Sequence, residues 1–312
     1  MKKYVGIDIG GTAVKGILVS EDGTILQKSS IPTLATRPFE EVAASIGEQI
    51  VSLTGGERIE GVGVGCPGMV DGAHGVIVYN NNLYWKDAPL ADALRQKAGV
   101  PVKVANDANA ACLGECRFGA GQAYSDAALI TLGTGVGGGI VIGGKLFEGC
   151  NGRGAEIGHM TIVADGVPCT CGRKGCFETY ASATALVRQT VFAMLTDRKS
   201  AMWDYAQGDL NKVDGKTSFE CAKAGDGTAQ RVIDAYLHYL AEGIINVVNI
   251  FGSQAVILGG GVCAQGAALT DPLKKYVNAN RYGGDRGEPT AVVTAKLGND
   301  AGCLGAASLV MA

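Results

Sequence analysis

The feature that most narrows the fold of this chain is a pattern that occurs twice. Tyr4–Ile9 is a short β-prone run containing Asp8, and Gly10, Gly11 and Thr12 separate it from a second apolar run, Ala13–Val19. Much later Ala127–Leu132 leads into Gly133-Thr134-Gly135 and then Gly137–Gly144. Each half therefore opens with a predicted hairpin whose turn is built from glycine and threonine. In the first half Asp22-Gly23 turns the chain into a third run near Thr24–Lys28. Phe39, Val42, Ile46, Ile50 and Leu53 then fall at three- and four-residue steps, which predicts an amphipathic helix opened by Thr36 and Pro38. Strands are predicted at Gly61–Gly65 and Val102–Ala105, with helices near Pro89–Ala98 and Asn109–Phe118. In the second half an amphipathic segment, Thr228–Val248, precedes a strand at Ala255–Leu258 that ends in Gly259-Gly260-Gly261. This order describes a duplicated α/β unit with a ligand cleft between its halves. Asp197–Phe219 lacks any such period and reads as a polar, irregular surface insertion.

A second constraint lies between Gly154 and Glu178, where three thiols, one of the chain's three histidines and the carboxylates of Glu156 and Glu178 fall together. His159, Cys169, Cys171 and Cys176 are four N/S ligands of the kind that hold a tetrahedral structural Zn²⁺. The spacing is C-x-C-x₄-C after an upstream His, unlike the double C-x₂-C finger. Buried free cysteines packed as small hydrophobes are the alternative. Glu156 and Glu178 flank the cluster. They offer acceptors to sugar hydroxyls, and the second nitrogen of a metal-fixed His159 would offer a donor. Ordinary surface charges are the plainer reading of both glutamates.

Composition removes several classes. A net charge of −3 leaves no electrostatic footprint for nucleic acid or an acidic membrane surface. The uncharged runs Ala127–Gly144 and Gly243–Thr270 are broken by glycines and asparagines, as buried strands and loops are, and no membrane span is expected. Ten cysteines without even spacing suit a reducing compartment, and Asp8 interrupts the first apolar run before a signal peptide could form. The expected location is cytoplasmic.

Asp8, Gly10, Gly11, Thr12 and Lys15 place bare backbone amides, a hydroxyl and a cation at a strand end. Such a turn lets phosphate oxygens reach N–H groups directly, while Asp8 could hold Mg²⁺ through water; a plain hairpin turn is the alternative. Thr134 and Gly135 repeat the arrangement, and Gly260 and Gly261 add a third close approach suited to an adenosine. No G-x-G-x-x-G stands in a βαβ context and no Walker sequence occurs, so the dinucleotide-binding and P-loop readings fall away. Asn106-Asp107 closes a buried strand ahead of an Ala-rich helix. Asp fills an N-cap well, and a carboxylate there is also what accepts a proton from an attacking hydroxyl. Cys66, beside Pro67-Gly68, is expected to be buried and apolar in role.

Taken together, DIGGT at Asp8, NDANAA at Asn106, LGTGVGGG at Leu132, GAEIGHM at Gly154, CTCGRKGCFE at Cys169 and LGGG at Leu258 resemble the ROK family of bacterial sugar kinases and regulators. That family lies within the actin-like, hexokinase-like ATPase superfamily. The resemblance implies an α/β fold of two RNase H-like lobes with an interlobe cleft. It implies a small lobe of residues 1–112 plus 299–312 and a large lobe of residues 113–298. The large lobe would carry the zinc knuckle (159–176) and a dimerisation surface, since homodimers are usual in the family. Asp107 would be the catalytic base, and Asn106, Asp107, Glu156, His159 and Glu178 would bind the hexose. ATP with Mg²⁺ would meet Asp8, Gly10, Gly11, Thr12, Lys15, Thr134, Gly135, Gly260 and Gly261, and zinc would sit on His159, Cys169, Cys171 and Cys176.

Asn82-Leu83-Tyr84-Trp85 with Pro89-Leu90, and the Gly208–Asp226 region, look like the glucokinase branch. That branch phosphorylates glucose at the 6-hydroxyl, giving glucose 6-phosphate and ADP. Branches for N-acetylmannosamine, N-acetylglucosamine, fructose and allose share every other motif. Family members that repress transcription carry a DNA-binding domain ahead of the first strand; a strand from Tyr4 leaves no room for one, and no nucleic-acid partner is expected. A non-catalytic sugar sensor would not need Asp8, Asp107 and both Gly-Thr turns.

Overall fold

The computed structural model describes residues 1–311. Three antiparallel strands open the chain: β1 (Lys3–Ile9), β2 (Ala13–Ser20) and β3 (Ile25–Pro32). The turn into β3 closes because Gly23 adopts a φ of +87° and the Asp22 carboxylate accepts the Thr24 N–H at 3.1 Å. Helix α1 (Phe39–Thr54) buries the stripe read from its sequence, Val42, Ile46, Ile50 and Leu53, and ends at the left-handed Gly55. β4 (Val62–Cys66) is buried at every position and runs parallel to β1.

A separate three-stranded sheet follows, in the order β5 (Met69–Asp71), β6 (Val76–Asn80) and β7 (Trp85–Ala88). The sequence alone predicts no strand between residues 65 and 102, because none in this stretch exceeds five residues. The strands hold because Val70, Ile77, Leu83, Trp85 and Ala88 join the main core. α2 (Leu90–Ala98), β8 (Val102–Asn106) and α3 (Asp107–Phe118) complete the first pattern, with β8 parallel to β4.

The second pattern begins with β9 (Ala127–Leu132), β10 (Val136–Ile142) and β11 (Lys145–Leu146). Helices α4 (Glu178–Ala181), α5 (Ala183–Thr196), α6 (Met202–Tyr205), α7 (Thr217–Lys223) and α8 (Gly227–Phe251) come next. Then follow β12 (Ala255–Gly259), α9 (Ala267–Asn280), β13 (Ala291–Thr294) and α10 (Ala301–Ser308). The large sheets have the orders β3-β2-β1-β4-β8 and β11-β10-β9-β12-β13. Counted by its own strands, each reads third, second, first, fourth, fifth, and each ends in a parallel pair. The duplication expected from the two hairpins is thus a duplication of topology, that of two RNase H-like sheets.

By contacts the chain forms two units: Met1–Leu129 with Gly139–Ala155 and the segment from Lys296 onward, and Ile130–Gly138 with Glu156–Ala295. The boundary expected near residue 112 falls inside α3, a continuous helix to Phe118. In the first unit α10 packs on α3 at two glycines. A Cβ on Gly114 would lie 2.5 Å from the Ala301 carbonyl oxygen, and one on Gly305 1.6 Å from that of Ala110. The returning chain is anchored by Glu115, fully buried on α3. Its carboxylate accepts N–H groups from Lys296 (3.0 Å), Leu297 (2.8 Å) and Ala120 (2.8 Å).

In the second unit Asp226 caps α8, accepting from the N–H groups of Thr228 and Ala229 at 2.8 Å each. The supposed surface insertion, Asp197–Phe219, is corrected here: α6 and the start of α7 lie within it. Met202, Ala206 and Val213 form a small core with Met194, Cys221 and Ala229. Its apolar residues are too few and too irregularly spaced to show a period. No helix among the described residues is long and apolar enough to cross a membrane.

Candidate active site

In the first unit the chemistry gathers at the carboxyl ends of three adjacent parallel strands. Asp8 on β1 stands opposite Gly65 on β4, and Gly65 opposite Ala105 on β8, one residue before Asn106. Gly65 separates the two acidic positions without filling the space between them. A Cβ there would be 3.7 Å from the Asp107 Cα and 3.8 Å from Asp8 Oδ1. Asn106, not Asp107, is the cap of α3: its Oδ1 accepts from the N–H groups of Ala108 (2.9 Å) and Asn109 (3.2 Å). Its amide donates to the Gly68 carbonyl at 3.1 Å. Asp107 is thereby released from capping to the first helical turn, where it accepts the Ala108 N–H at 2.9 Å.

Both carboxyls are half-buried, and both are raised above the usual carboxylate range. Burial pushes Asp8 up to about 6, with the nearby Asp107 charge adding to it; its cross-strand neighbour Lys15 pulls the other way and loses. Burial likewise raises Asp107, against the Ala108 N–H and the Asn106 side chain, which lower it. No cation pairs with Asp107 among the described residues. A carboxylate with a raised proton affinity and no cationic partner has the chemistry of a proton acceptor.

The turn after β1 is tight at its base and open at its tip. The Gly10 N–H donates to the Ala13 carbonyl (2.9 Å), and the Thr33 hydroxyl donates to the Gly10 carbonyl (2.6 Å). Gly11, Thr12 and Lys15 are exposed, and nothing lies within 4 Å of where a Gly11 Cβ would be. Cys66 is fully buried, as expected, and burial holds its thiol protonated.

In the second unit Gly133-Thr134-Gly135 is held by Glu178. Glu178 Oε2 accepts the Val136 N–H at 3.0 Å, and a Cβ on Gly135 would meet that oxygen at 2.1 Å. Gly260, at a φ of +96°, lies against the Leu132 carbonyl, so Gly260 and Gly261 adjoin the same turn. Thr134, Gly260 and Gly261 are exposed.

His159, Cys169, Cys171 and Cys176 converge, their ligand atoms all within 4.8 Å of one another. His159 Nδ1 is 3.7 Å from Cys169 Sγ, and Cys171 Sγ is 3.6 Å from Cys176 Sγ. Zn–S bonds of about 2.3 Å and a Zn–N bond of about 2.0 Å in a tetrahedron put neighbouring ligand atoms about 3.5–3.8 Å apart. The donor set fits that geometry. Burial and the adjoining thiols push Cys176 up to about 12, so a thiolate here requires a cation beside it. The backbone supports the cluster: the Cys169 N–H donates to the Arg173 carbonyl (2.8 Å), and the Val167 N–H to the Tyr180 hydroxyl (2.8 Å). Glu178 Oε1 lies 3.9 Å from Cys169 Sγ, which ties the cluster to the glycine turn. Glu156 is exposed and follows Ala155, a non-glycine residue at a φ of +63°.

Gly65 and Glu115 were not singled out from the sequence. Alternating glycines in Val62-Gly63-Val64-Gly65 signal a close approach within a strand. Glu115 has no comparable signal, since two of its three partners are backbone groups nearly two hundred residues away.

A family profile described as "ROK family" matches residues 4–312. The chain is 38% identical to a glucokinase of Thermotoga maritima, over 99% of this chain and 97% of that protein. It is 29% identical to a xylose repressor of Bacillus subtilis, over 98% of this chain but 76% of the repressor. It superposes with a TM-score of 0.79 on a crystal structure of a ROK family glucokinase from Streptomyces griseus in complex with glucose and AMPPNP; the two are 38% identical, with 98% of each chain covered.

Proposed function

The chain belongs to the ROK family and is a sugar kinase; on that premise we propose that it transfers the terminal phosphoryl group of ATP to the 6-hydroxyl of glucose, with Asp107 as general base. The observation that carries this reading is the release of Asp107 from capping, which leaves an unpaired, partly desolvated carboxylate at the start of α3. Asp107 takes the hydroxyl proton as the new O–P bond forms, and ADP leaves with the electrons of the broken bond. Positioning supplies most of the rate, so Asp107 needs no extreme basicity. Asn106, Glu156, His159 and Glu178 hold the sugar hydroxyls. The open turn at Gly10, Gly11, Thr12 and Lys15, with Thr134, Gly135, Gly260 and Gly261, binds the nucleotide.

Asp8 would hold Mg²⁺ through water, and the ion would supply charge neutralisation on the phosphates. His159, Cys169, Cys171 and Cys176 would hold Zn²⁺, whose contribution is structural. With Nδ1 on the cluster side, the His159 ring has one orientation in which Nε2 can donate to a sugar oxygen. We keep the homodimer and the cytoplasmic location as parts of the same proposal. Glucose is preferred among hexoses because the glucokinases compared are 36–38% identical over nearly their full length.

The test is ADP release from Mg·ATP over glucose, fructose, allose, N-acetylglucosamine and N-acetylmannosamine, with metal content measured on the same sample. Preference for glucose with one zinc per chain is expected. Preference for another hexose would replace the substrate and keep the mechanism. Silence with every sugar despite bound zinc would favour a sugar sensor, the reading to which the xylose-repressor similarity points.

A further inference from the structure

The small sheet of β5, β6 and β7 carries none of the proposed site residues, yet one side chain ties it to the site. Asn80 ends β6 and is 1% exposed. All four hydrogen-bonding positions of its carboxamide are engaged. Oδ1 accepts the N–H groups of Asn82 (2.8 Å) and Leu83 (3.0 Å), which shapes the turn into β7. Nδ2 donates to the Pro67 carbonyl at 2.6 Å and, more weakly, to Cys66 Sγ at 3.8 Å. An asparagine that only closed a hairpin would need the first pair of bonds alone. The second pair leaves the hairpin and fastens the chain between β4 and β5.

That fastening point adjoins Asp107. Cys66 stands opposite Asn106 in the pairing of β4 with β8. Gly68 takes a φ of +98°, and a Cβ there would fall 2.3 Å from the Tyr79 carbonyl oxygen. The Pro67-Gly68 turn is therefore pressed against the end of β6, and Asn80 holds it there. In this position the Gly68 carbonyl accepts from Asn106 Nδ2 at 3.1 Å. Asn106 Oδ1 is already taken by the N–H groups of Ala108 and Asn109, so the Gly68 bond is what holds the nitrogen end of the amide. The same side chain donates to the Asp107 carboxylate. Bonds thus run without a gap from Asn80 through Pro67-Gly68 and Asn106 to Asp107.

We propose, on the reading of Asp107 as general base, that Asn80 is a positioning residue for the phosphoryl transfer: by locking the Pro67-Gly68 turn it orients the Asn106 amide and, through it, the Asp107 carboxylate. Buried as it is, Asn80 meets no substrate, and its effect passes through the turn. A base displaced by about 1 Å can lose on the order of 10²-fold in rate, so the stiffness of its supports matters. Asparagine is the residue this position needs. Aspartate has the same shape without the donors, and serine keeps a turn acceptor but ends one bond short of the Pro67 carbonyl.

Asn80→Ser separates the two pairs of bonds, since it keeps an acceptor for the turn into β7 and cuts the link to Pro67. In the full chain, with the folded fraction measured by urea unfolding, it should lower kcat for the preferred hexose about tenfold. In the Asp107→Asn background the same substitution should cost less than about twofold, because the base it served is gone. An equal loss in both backgrounds would mark a purely structural role and overturn the proposal, as would a kcat within about twofold of the parent. An independent readout is the Asn106 side-chain amide signal by NMR, identified by its absence in Asn106→Asp. Asn80→Ser should shift that signal and speed its exchange with water. An unchanged signal would overturn the proposal while the base reading stood. Parent-like turnover of Asp107→Asn alone would instead overturn the base reading, and the proposal with it.

Discussion

Asn106-Asp107-Ala108 and Asn299-Asp300-Ala301 are one triplet used twice, each at the start of a helix, and the two helices cross in backbone contact. Cys-Leu-Gly also recurs farther in, at Cys112-Leu113-Gly114 and Cys303-Leu304-Gly305, two residues nearer the triplet in the second helix. The chemistry of the two aspartates diverges. Asn106 takes the cap of α3 and leaves Asp107 without a cation, where burial raises its proton affinity against the hydrogen bonds that lower it. Asp300 stands at the start of α10 with no side-chain cap, and Lys28 holds its carboxylate at 2.7 Å in solvent. A motif supplies the carboxylate; its neighbours decide whether it stands without a cation or as one half of an ion pair.

The comparison can be broken most directly by exchanging the amides. Asp107→Asn should lower kcat by about 10²–10⁴-fold, the usual contribution of a general base, with sugar affinity spared. Asp300→Asn should remain within twofold of the parent. Near-normal ADP release from Asp107→Asn would erase the distinction. The crossing itself is tested by Gly305→Ala, whose Cβ would fall 1.6 Å from a carbonyl oxygen. It should cost about 3 kcal/mol in urea unfolding at unchanged m-value, the upper end for overpacking.

Asp8→Asn sharpens the contrast between acid and amide. Because the folded state raises Asp8 to about 6, its ionisation opposes folding. The penalty is absent below the unfolded value near 4, accrues as pH rises to the folded value and is complete above it. The amide variant should therefore be more stable by about 3 kcal/mol at pH 7.5 without Mg²⁺ or nucleotide, and no more stable at pH 3.5. A pH-independent difference would reject this. The smallest effect is expected at the exposed pair: Lys28→Ala should change stability by less than about 0.5 kcal/mol, and by less still at high salt.

What was legible in the sequence is what neighbours in the chain decide. The two glycine-threonine hairpins, the buried stripe of α1 and the four metal-type ligands each lie within a short span, so spacing revealed them. The juxtaposition of Asp8, Gly65 and Asp107 depends on strand order, which a hairpin pattern does not give. β5, β6 and β7 were missed because strands of three to five residues show no period of their own and borrow their core from elsewhere. The Asp107 capping ambiguity could not be resolved from residue types either. Asn and Asp are equal candidates for an N-cap, and only the backbone angles of Asn106 (φ −61°, ψ 147°) show which one takes it.

The carboxylate of Glu115 ties the strands made first to a segment made after the whole second unit. On a ribosome, β1, β4 and α3 emerge long before Lys296 and α10 exist to cover them. The first unit must therefore wait, its sheet open on one face, until the second has been synthesised. Nascent chains halted between β8 and α10 should thus be the form most in need of a chaperone.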